Sequence, residues 1–191
     1  VVLALPPAAV LDANVLVPAA LRDLLLNLGE AGLIVCLWSA DILDETFRSI
    51  AARRPDLRTE QLARNREVME RAFDGAAITG YEHHIPALSL PDPDDRHVLA
   101  AAIEGGADHI VTRDAAGFPL DALAAHGVER RSPDELVNEL IDAHGPEAVR
   151  AVLRHQAAAM RRPPMTVAEI IDRLADPSHG LPTAMGRLAL P

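Results

Sequence analysis

Short apolar runs alternate along this chain with longer stretches in which apolar residues recur every three to four positions, and few folds accommodate that order. Ala8–Asp12, Leu33–Trp38, Ala76–Tyr81 and Asp108–Thr112 are apolar over the length of a strand, and an edge strand is expected near Val128. Helical spacing runs from Ala19 to Leu28, through Ile42, Leu43, Phe47 and Ile50, from Thr59 to about Phe73, through Val98, Leu99 and Ala102, and over Leu120–Ala125. The punctuation agrees: Gly29 and Gly32 stop the first helix, Ser39 and Thr59 are predicted N-caps, Pro55 ends the second helix, and Gly105-Gly106 closes the fourth. The loop Glu82–Pro93 holds three prolines and cannot be helical throughout. Strands that alternate with helices imply an α/β fold, a parallel sheet with helices on both faces.

From Pro133 the pattern is helical only, with predicted helices over Pro133–Ala143, Glu147–Arg161 and Val167–Ala175 separated by Gly145-Pro146 and Pro163-Pro164. Ser132 ahead of Pro133 makes a good helix start, and Thr166 with Glu169 three residues on makes a capping box. The tail Asp176–Pro191, with its prolines and glycines, is expected to be a loop or arm. The chain therefore divides into an α/β part, residues 1–131, and a helical extension, residues 132–191.

With 191 residues, 49% of them hydrophobic, the chain can bury a core without a staple. Its one cysteine, Cys36, lies in an apolar run, so no intrachain disulfide forms and a reducing compartment suits it. No run reaches the ~18 apolar residues of a membrane span, and Val1–Val10 lacks the charged start of a signal peptide. A soluble, cytoplasmic chain with no membrane partner is the expectation. All eighteen basic residues are arginine. The absence of lysine argues against phosphate-binding Walker loops, pyridoxal enzymes and the usual receiver-domain sites, all of which draw on one. A formal charge of −10 argues against a nucleic-acid partner at first sight, yet seven arginines between Arg48 and Arg71 face only Asp56, Glu60, Glu67 and Glu70. Part of that stretch is expected to form i,i+4 pairs such as Glu60 to Arg64 and Glu67 to Arg71.

Four acids fall where such a sheet gathers residues: Asp12 at the end of the first strand, Glu45 in the second helix, Asp95 at a helix start, and Asp114 just after a later strand. Open α/β sheets bind ligands in the crevice beyond the carboxyl ends of their strands. Carboxylates converging without a lysine either take up protons or bind cations. Hard oxygen ligands select Mg²⁺ or Mn²⁺ over zinc, and such ions suit phosphodiester hydrolysis. Any one of these acids alone is more simply a helix or turn cap.

The stretches Val10-Leu11-Asp12-Ala13-Asn14-Val15-Leu16-Val17, Ser39-Ala40-Asp41-Ile42-Leu43-Asp44-Glu45, Asp92-Pro93-Asp94-Asp95-Arg96-His97-Val98-Leu99-Ala100-Ala101-Ala102 and Ile110-Val111-Thr112-Arg113-Asp114-Ala115-Ala116-Gly117-Phe118 resemble, in order, the four acidic motifs of PIN domains. The Asp-Pro-Asp-Asp-Arg-His form is similar to the subgroup that includes VapC-like toxins. The resemblance covers about Val10 to Arg131 and implies a three-layer PIN-like domain that acts as a metal-dependent ribonuclease. It makes Asp12, Glu45, Asp95 and Asp114 the catalytic metal ligands, with Asn14 and Thr112 as supports and Asp92 and Asp94 as alternates to Asp95. It further implies Mg²⁺ or Mn²⁺ as cofactor, RNA as substrate, a cognate antitoxin protein as partner, and a homodimer as a candidate assembly.

Arg48, Arg96 and Arg113 are the candidates to contact substrate phosphate. The histidines carry less: His97 is expected to face away from Asp95, His83-His84 to lie on the surface, and none has the sequence spacing of a zinc site. A haloacid-dehalogenase-type phosphatase wants a second aspartate where Asn14 stands. Two readings stay open beside the toxin: an RNA-processing nuclease outside toxin–antitoxin systems, and an inactive PIN-like binding module.

Overall fold

A computed structural model describes residues 5–160 and 163–189. Five parallel strands, β1 (Ala8–Leu11), β2 (Val35–Ser39), β3 (Ala77–Ile78), β4 (His109–Val111) and β5 (Glu129–Arg131), form one sheet in the order β3-β2-β1-β4-β5. Parallel neighbours need crossovers, and helices supply them. The short α1 (Ala13–Leu16) and α2 (Ala19–Glu30) join β1 to β2, and α3 (Ala40–Arg53) and α4 (Thr59–Ala72) join β2 to β3. Two 3-10 segments (Tyr81–Ala87 and Pro93–Asp95) and α5 (Arg96–Glu104) lead to β4, and α6 (Leu120–Ala124) leads to β5. The result is the expected three-layer α/β fold. Ala9, Val10 and Leu11 of β1 are fully buried, as befits the central strand of a sheet covered on both faces.

Local chemistry explains the helix starts, with one correction. Ser39 caps α3, its Oγ accepting the Ile42 N–H at 3.2 Å. Thr59 does not cap α4, because the helix begins at Thr59 itself and the Arg58 N–H is satisfied by the Gln61 side-chain carbonyl at 2.9 Å. Of the expected surface pairs, Glu67 to Arg71 forms at 2.5 Å. Among the described residues Glu60 and Arg64 do not pair, and Arg66 instead bridges Glu70 at 3.0 Å and Asp44. Cys36 is buried with its thiol directed at the Leu25 carbonyl, and burial pushes its pKa up to about 12.

The chain continues from β5 into α7 (Pro133–His144), α8 (Pro146–Ala159), α9 (Val167–Ala175) and α10 (Pro182–Leu188). Both reciprocal caps form, Glu135 N–H to Ser132 Oγ and Glu169 N–H to Thr166 Oγ1, each at 3.2 Å. Arg161, the expected last residue of the α8 helix, lies outside the described residues. The tail is not the arm that its prolines and glycines suggested. Pro182 occupies the first turn of α10, where its missing N–H costs nothing, and Ala184, Met185 and Leu188 are completely buried. Asp134 of α7 accepts the Ala184 N–H at 2.8 Å, and Arg150 of α8 donates to the Leu188 carbonyl at 3.1 Å. The extension packs on the sheet domain through α8 and α9, both of which meet α2. Among the described residues, no helix is long and apolar enough to cross a membrane.

Candidate active site

The strand order reverses between β1 and β4: β2 and β3 lie to one side of β1, β4 and β5 to the other. At such a switch point the connections leave in opposite directions and open a crevice at the carboxyl ends of the strands. The register of the pair, Leu11 opposite Val111, brings the next residues, Asp12 and Thr112, out side by side. The ladder carries on into them, with the Asp12 N–H donating to the Val111 carbonyl at 3.1 Å and the Thr112 N–H to Arg131 at 3.0 Å.

Asp12 is 5% exposed. Its Oδ2 accepts the Thr112 hydroxyl at 2.7 Å and the Asn14 side-chain amide at 2.5 Å, and Asn14 also donates to Thr112 Oγ1 at 2.8 Å. The other end of Asn14 accepts the Arg113 N–H at 2.9 Å, which ties the loop after β1 to the loop after β4. Although Asp12 precedes α1, its side chain makes no helix-capping bond. Burial raises its pKa to about 6, with the nearby Glu45 and Asp95 carboxylates adding to the rise and the Thr112 hydrogen bond opposing it.

Asp95 ends the 3-10 turn Pro93–Asp95 and stands immediately before α5, again without a side-chain cap. Partial burial raises its pKa, and the charges of Asp92, Asp114 and Glu45 push it further in the same direction, with His97 opposing. The loop's other two acids do different work. Asp92 turns its Oδ1 onto the Asp94 N–H at 2.9 Å and so caps the turn, while Asp94 is exposed. Asp114 holds the opposite wall, where its Oδ1 accepts the N–H groups of Ala116 at 3.0 Å and Gly117 at 2.9 Å and its own N–H donates to Thr112 Oγ1 at 3.0 Å. Glu45 reaches the cluster from α3, while its helix neighbour Asp41 is occupied by the Tyr81 hydroxyl at 2.7 Å.

Two residues that the motif reasoning undervalued complete the site. Gly117 is buried between the acids: a Cβ there would stand 2.6 Å from Asp114 Oδ2 and 2.7 Å from Asp95 Oδ2, so both carboxylates converge on space that only glycine leaves open. A glycine three residues after an aspartate is a turn signal, and it was readable in Asp114-Ala115-Ala116-Gly117. His97 does not face away from the acids. With a side chain only 17% exposed, it places Nε2 3.7 Å from Glu45 Oε2. The helical spacing that set it apart from Asp95 could not show that α3 packs against this turn of α5.

The three arginine candidates separate. Arg48 is exposed, and the Arg96 Nε is buried with no hydrogen-bond partner among the described residues. Arg113 reaches the Pro177 carbonyl at 3.4 Å and, with Arg22, Arg53, Arg54 and His179, lines a cleft of about 400 Å³.

Donors made only of oxygen, with the Asp12 and Asp95 pKa values raised and no ammonium among them, fit a hard divalent cation. No three of the four acids bring one oxygen each within 4.8 Å of one another; among the described residues, His83, His84 and Glu104 meet that spacing.

A switch-point crevice that gathers four acids from a parallel sheet defines a class, and the comparisons with known proteins place the chain in it. The PIN domain family model matches residues 8–116, and the VapC50 C-terminal domain model matches residues 133–189. The chain belongs to the PIN-domain family. It is similar to the Mycobacterium tuberculosis (strain ATCC 25618 / H37Rv) protein named "Putative ribonuclease VapC50", with 37% identity over 82 residues. That match takes in 43% of this chain and 48% of the relative, so the likeness spans about half of the relative's length. No solved structure matches.

Proposed function

We propose that this chain is a divalent-metal-dependent endoribonuclease that hydrolyses RNA phosphodiester bonds, and that it serves as the toxin of a VapBC-type pair. The observation that carries the reading is the convergence of Asp12, Glu45, Asp95 and Asp114 at the sheet's switch point, with two of the four carboxyl groups driven toward protonation by burial and mutual repulsion. Membership of the PIN family and the likeness to a protein named a ribonuclease support it. Residues 1–131 form the nuclease part in this reading, and residues 132–191 its helical extension.

The four acids would hold Mg²⁺ or Mn²⁺. Bound there, the ion would supply a water activated for in-line attack and neutralise charge developing on the phosphate. The chain's own residues set the geometry. Thr112 and Asn14 fix Asp12 Oδ2 from two directions, the Ala116 and Gly117 amides fix Asp114 Oδ1, and His97 lies beside Glu45. Arg113 and the other basic residues of its cleft would offer phosphate contacts, a local positive lining on a chain of net charge −10.

Purified full-length chain is expected to cut RNA with added Mn²⁺ or Mg²⁺ and to stop when a chelator is in excess; undiminished cutting in chelator overturns the metal-dependent reading. The toxin role rests on a cognate antitoxin, expected to copurify and to block cleavage. Cleavage without any such partner returns the chain to RNA processing, and metal binding without cleavage to the inactive module.

A further inference from the structure

A second constellation of metal-ligating side chains lies at the far end of α5 from Asp95. His83 and His84 belong to the 3-10 segment Tyr81–Ala87, which packs along α5, and Glu104 is the last residue of that helix. The nine residues of α5 put this cluster on the order of 13 Å from the acids at ~1.5 Å per residue. Sequence spacing hides it, because adjacent histidines meet a glutamate twenty residues on only once the 3-10 segment lies against the helix.

The three side chains present their donor atoms at close mutual spacing. The Nε2 atoms of both rings turn to one carboxylate oxygen, Glu104 Oε2, His84 at 3.0 Å and His83 at 3.9 Å, and the three donor atoms lie within 4.8 Å of one another. Zinc bonds of ~2.0–2.1 Å in a tetrahedral shell separate neighbouring donors by about 3.3 Å, a value these two spacings bracket. The His83 Nδ1 lies 2.6 Å from the Gly80 carbonyl oxygen. A carbonyl only accepts, so Nδ1 keeps the proton and Nε2 presents its lone pair to the cluster, the arrangement that fixes the tautomer of metal-bound histidines. Gly80 itself has φ 81°, a left-handed conformation that a side chain would disfavour and that turns the chain into the 3-10 segment. The two rings sit 3.9 Å apart centroid to centroid. The last turn of α5 adds the negative end of its helix dipole.

We infer that His83, His84 and Glu104 form a binding site for a borderline divalent transition ion, Zn²⁺ by the chemistry of its ligands, which staples the 3-10 segment to the C-terminus of α5 and leaves a fourth position to water. Two imidazoles and one carboxylate suit Zn²⁺, whereas the all-oxygen crevice suits Mg²⁺ or Mn²⁺, so the two sites sort different ions.

The test is competition dialysis of Zn²⁺ against the full chain in excess Mg²⁺, added to compete for the acidic crevice. The parent is expected to retain one Zn²⁺ per chain. His84→Ala and Glu104→Gln should each weaken retention at least tenfold while metal-dependent RNA cleavage and the circular dichroism spectrum stay unchanged. Co²⁺ in place of Zn²⁺ should give the visible absorption of a four-coordinate ion in the parent and not in either variant. Glu104→Gln keeps an acceptor for His84, so a folding defect confined to the alanine variant leaves the test intact. Equal Zn²⁺ retention by parent and variants, or retention lost with Asp12→Asn and not with His84→Ala, overturns the assignment and leaves His84 and Glu104 as an ion pair alone.

Discussion

Replacing Asp12 by asparagine should stabilise the metal-free protein at neutral pH and leave it unchanged in acid. The carboxyl of Asp12 titrates near 3.8 in an unfolded chain and at about 6 in the fold. A raised folded-state pKa means that the folded form binds its proton more tightly than the unfolded form. Both forms are protonated below about pH 4, so no cost arises there. As pH rises from about 4 through 6 the unfolded chain ionises first, stability drains away, and above that window the loss is constant. The rise from 3.8 to about 6 corresponds to ~3 kcal/mol, and because the group is 5% exposed, little solvent screening discounts it. Asparagine keeps an oxygen to accept from Thr112 and Asn14 at the Oδ2 position and removes the charge that Glu45 and Asp95 oppose. At this chain length each kcal/mol moves the melting temperature by roughly 2–4 °C. In chelator, Asp12→Asn should therefore melt up to roughly 6–12 °C above the parent at pH 7.5, with the gap closing by pH 4. Mn²⁺ should raise the parent more than the variant. A variant that melts below the parent at pH 7.5, or a gap that does not vary with pH, would refute the reasoning and make Asp12 a structural acceptor.

Asp95→Asn should abolish metal-dependent RNA cleavage without lowering the melting temperature in chelator, because Asp95 caps nothing, and a melting scan beside a cleavage assay checks both halves. Thr112→Val should keep the fold yet cut activity by about 10–100-fold, the usual cost of losing a group that orients a metal ligand, as initial rates at saturating Mn²⁺ will show. Gly117→Ala must displace the Asp95 or Asp114 carboxylate, at about 1–3 kcal/mol of overpacking, and should lower Mn²⁺ affinity more than it lowers stability; unchanged Mn²⁺ affinity would contradict the placement of these acids. Met185→Ala, in a fully buried position of α10, should cost about 2–5 kcal/mol in denaturant unfolding.

What the sequence disclosed, and what it withheld, follows from the range of the forces involved. Strand and helix periods are local, so β1 to β4 were visible in or beside apolar runs and the parallel sheet followed from their alternation with helices, whereas β5, the charged Glu129–Arg131, was legible only as an edge strand near Val128. Asp12 and Asp114 were legible because each directly follows a strand, and Asp95 because it opens a strongly amphipathic helix. The tail defeated the local reading: proline and glycine around Leu181 to Gly186 signal a break, whereas the burial of Ala184, Met185 and Leu188 against α7 and α8 is a tertiary gain that overrides propensity. His97 and the pairing of His84 with Glu104 were illegible for the same reason, each depending on which element lies across from α5.

The extension bears on the site through stability. A crevice that holds Asp12 ionised against burial and like charge draws on the stability of the rest of the fold, and α2, which leads away from that crevice, buries Leu21, Leu24, Leu25 and Leu28 completely. Besides β2 and α1, α2 meets α8 and α9, whose Val149, Val152, Leu153, Ile170 and Leu174 are buried in the same core. At roughly 1.5–3 kcal/mol for each buried aliphatic side chain, even a few of these contacts outweigh the ~3 kcal/mol that Asp12 costs. The change of pattern at Ser132 thus marks a change of secondary structure within one shared core, and the helices that follow it help the sheet tolerate its own charges.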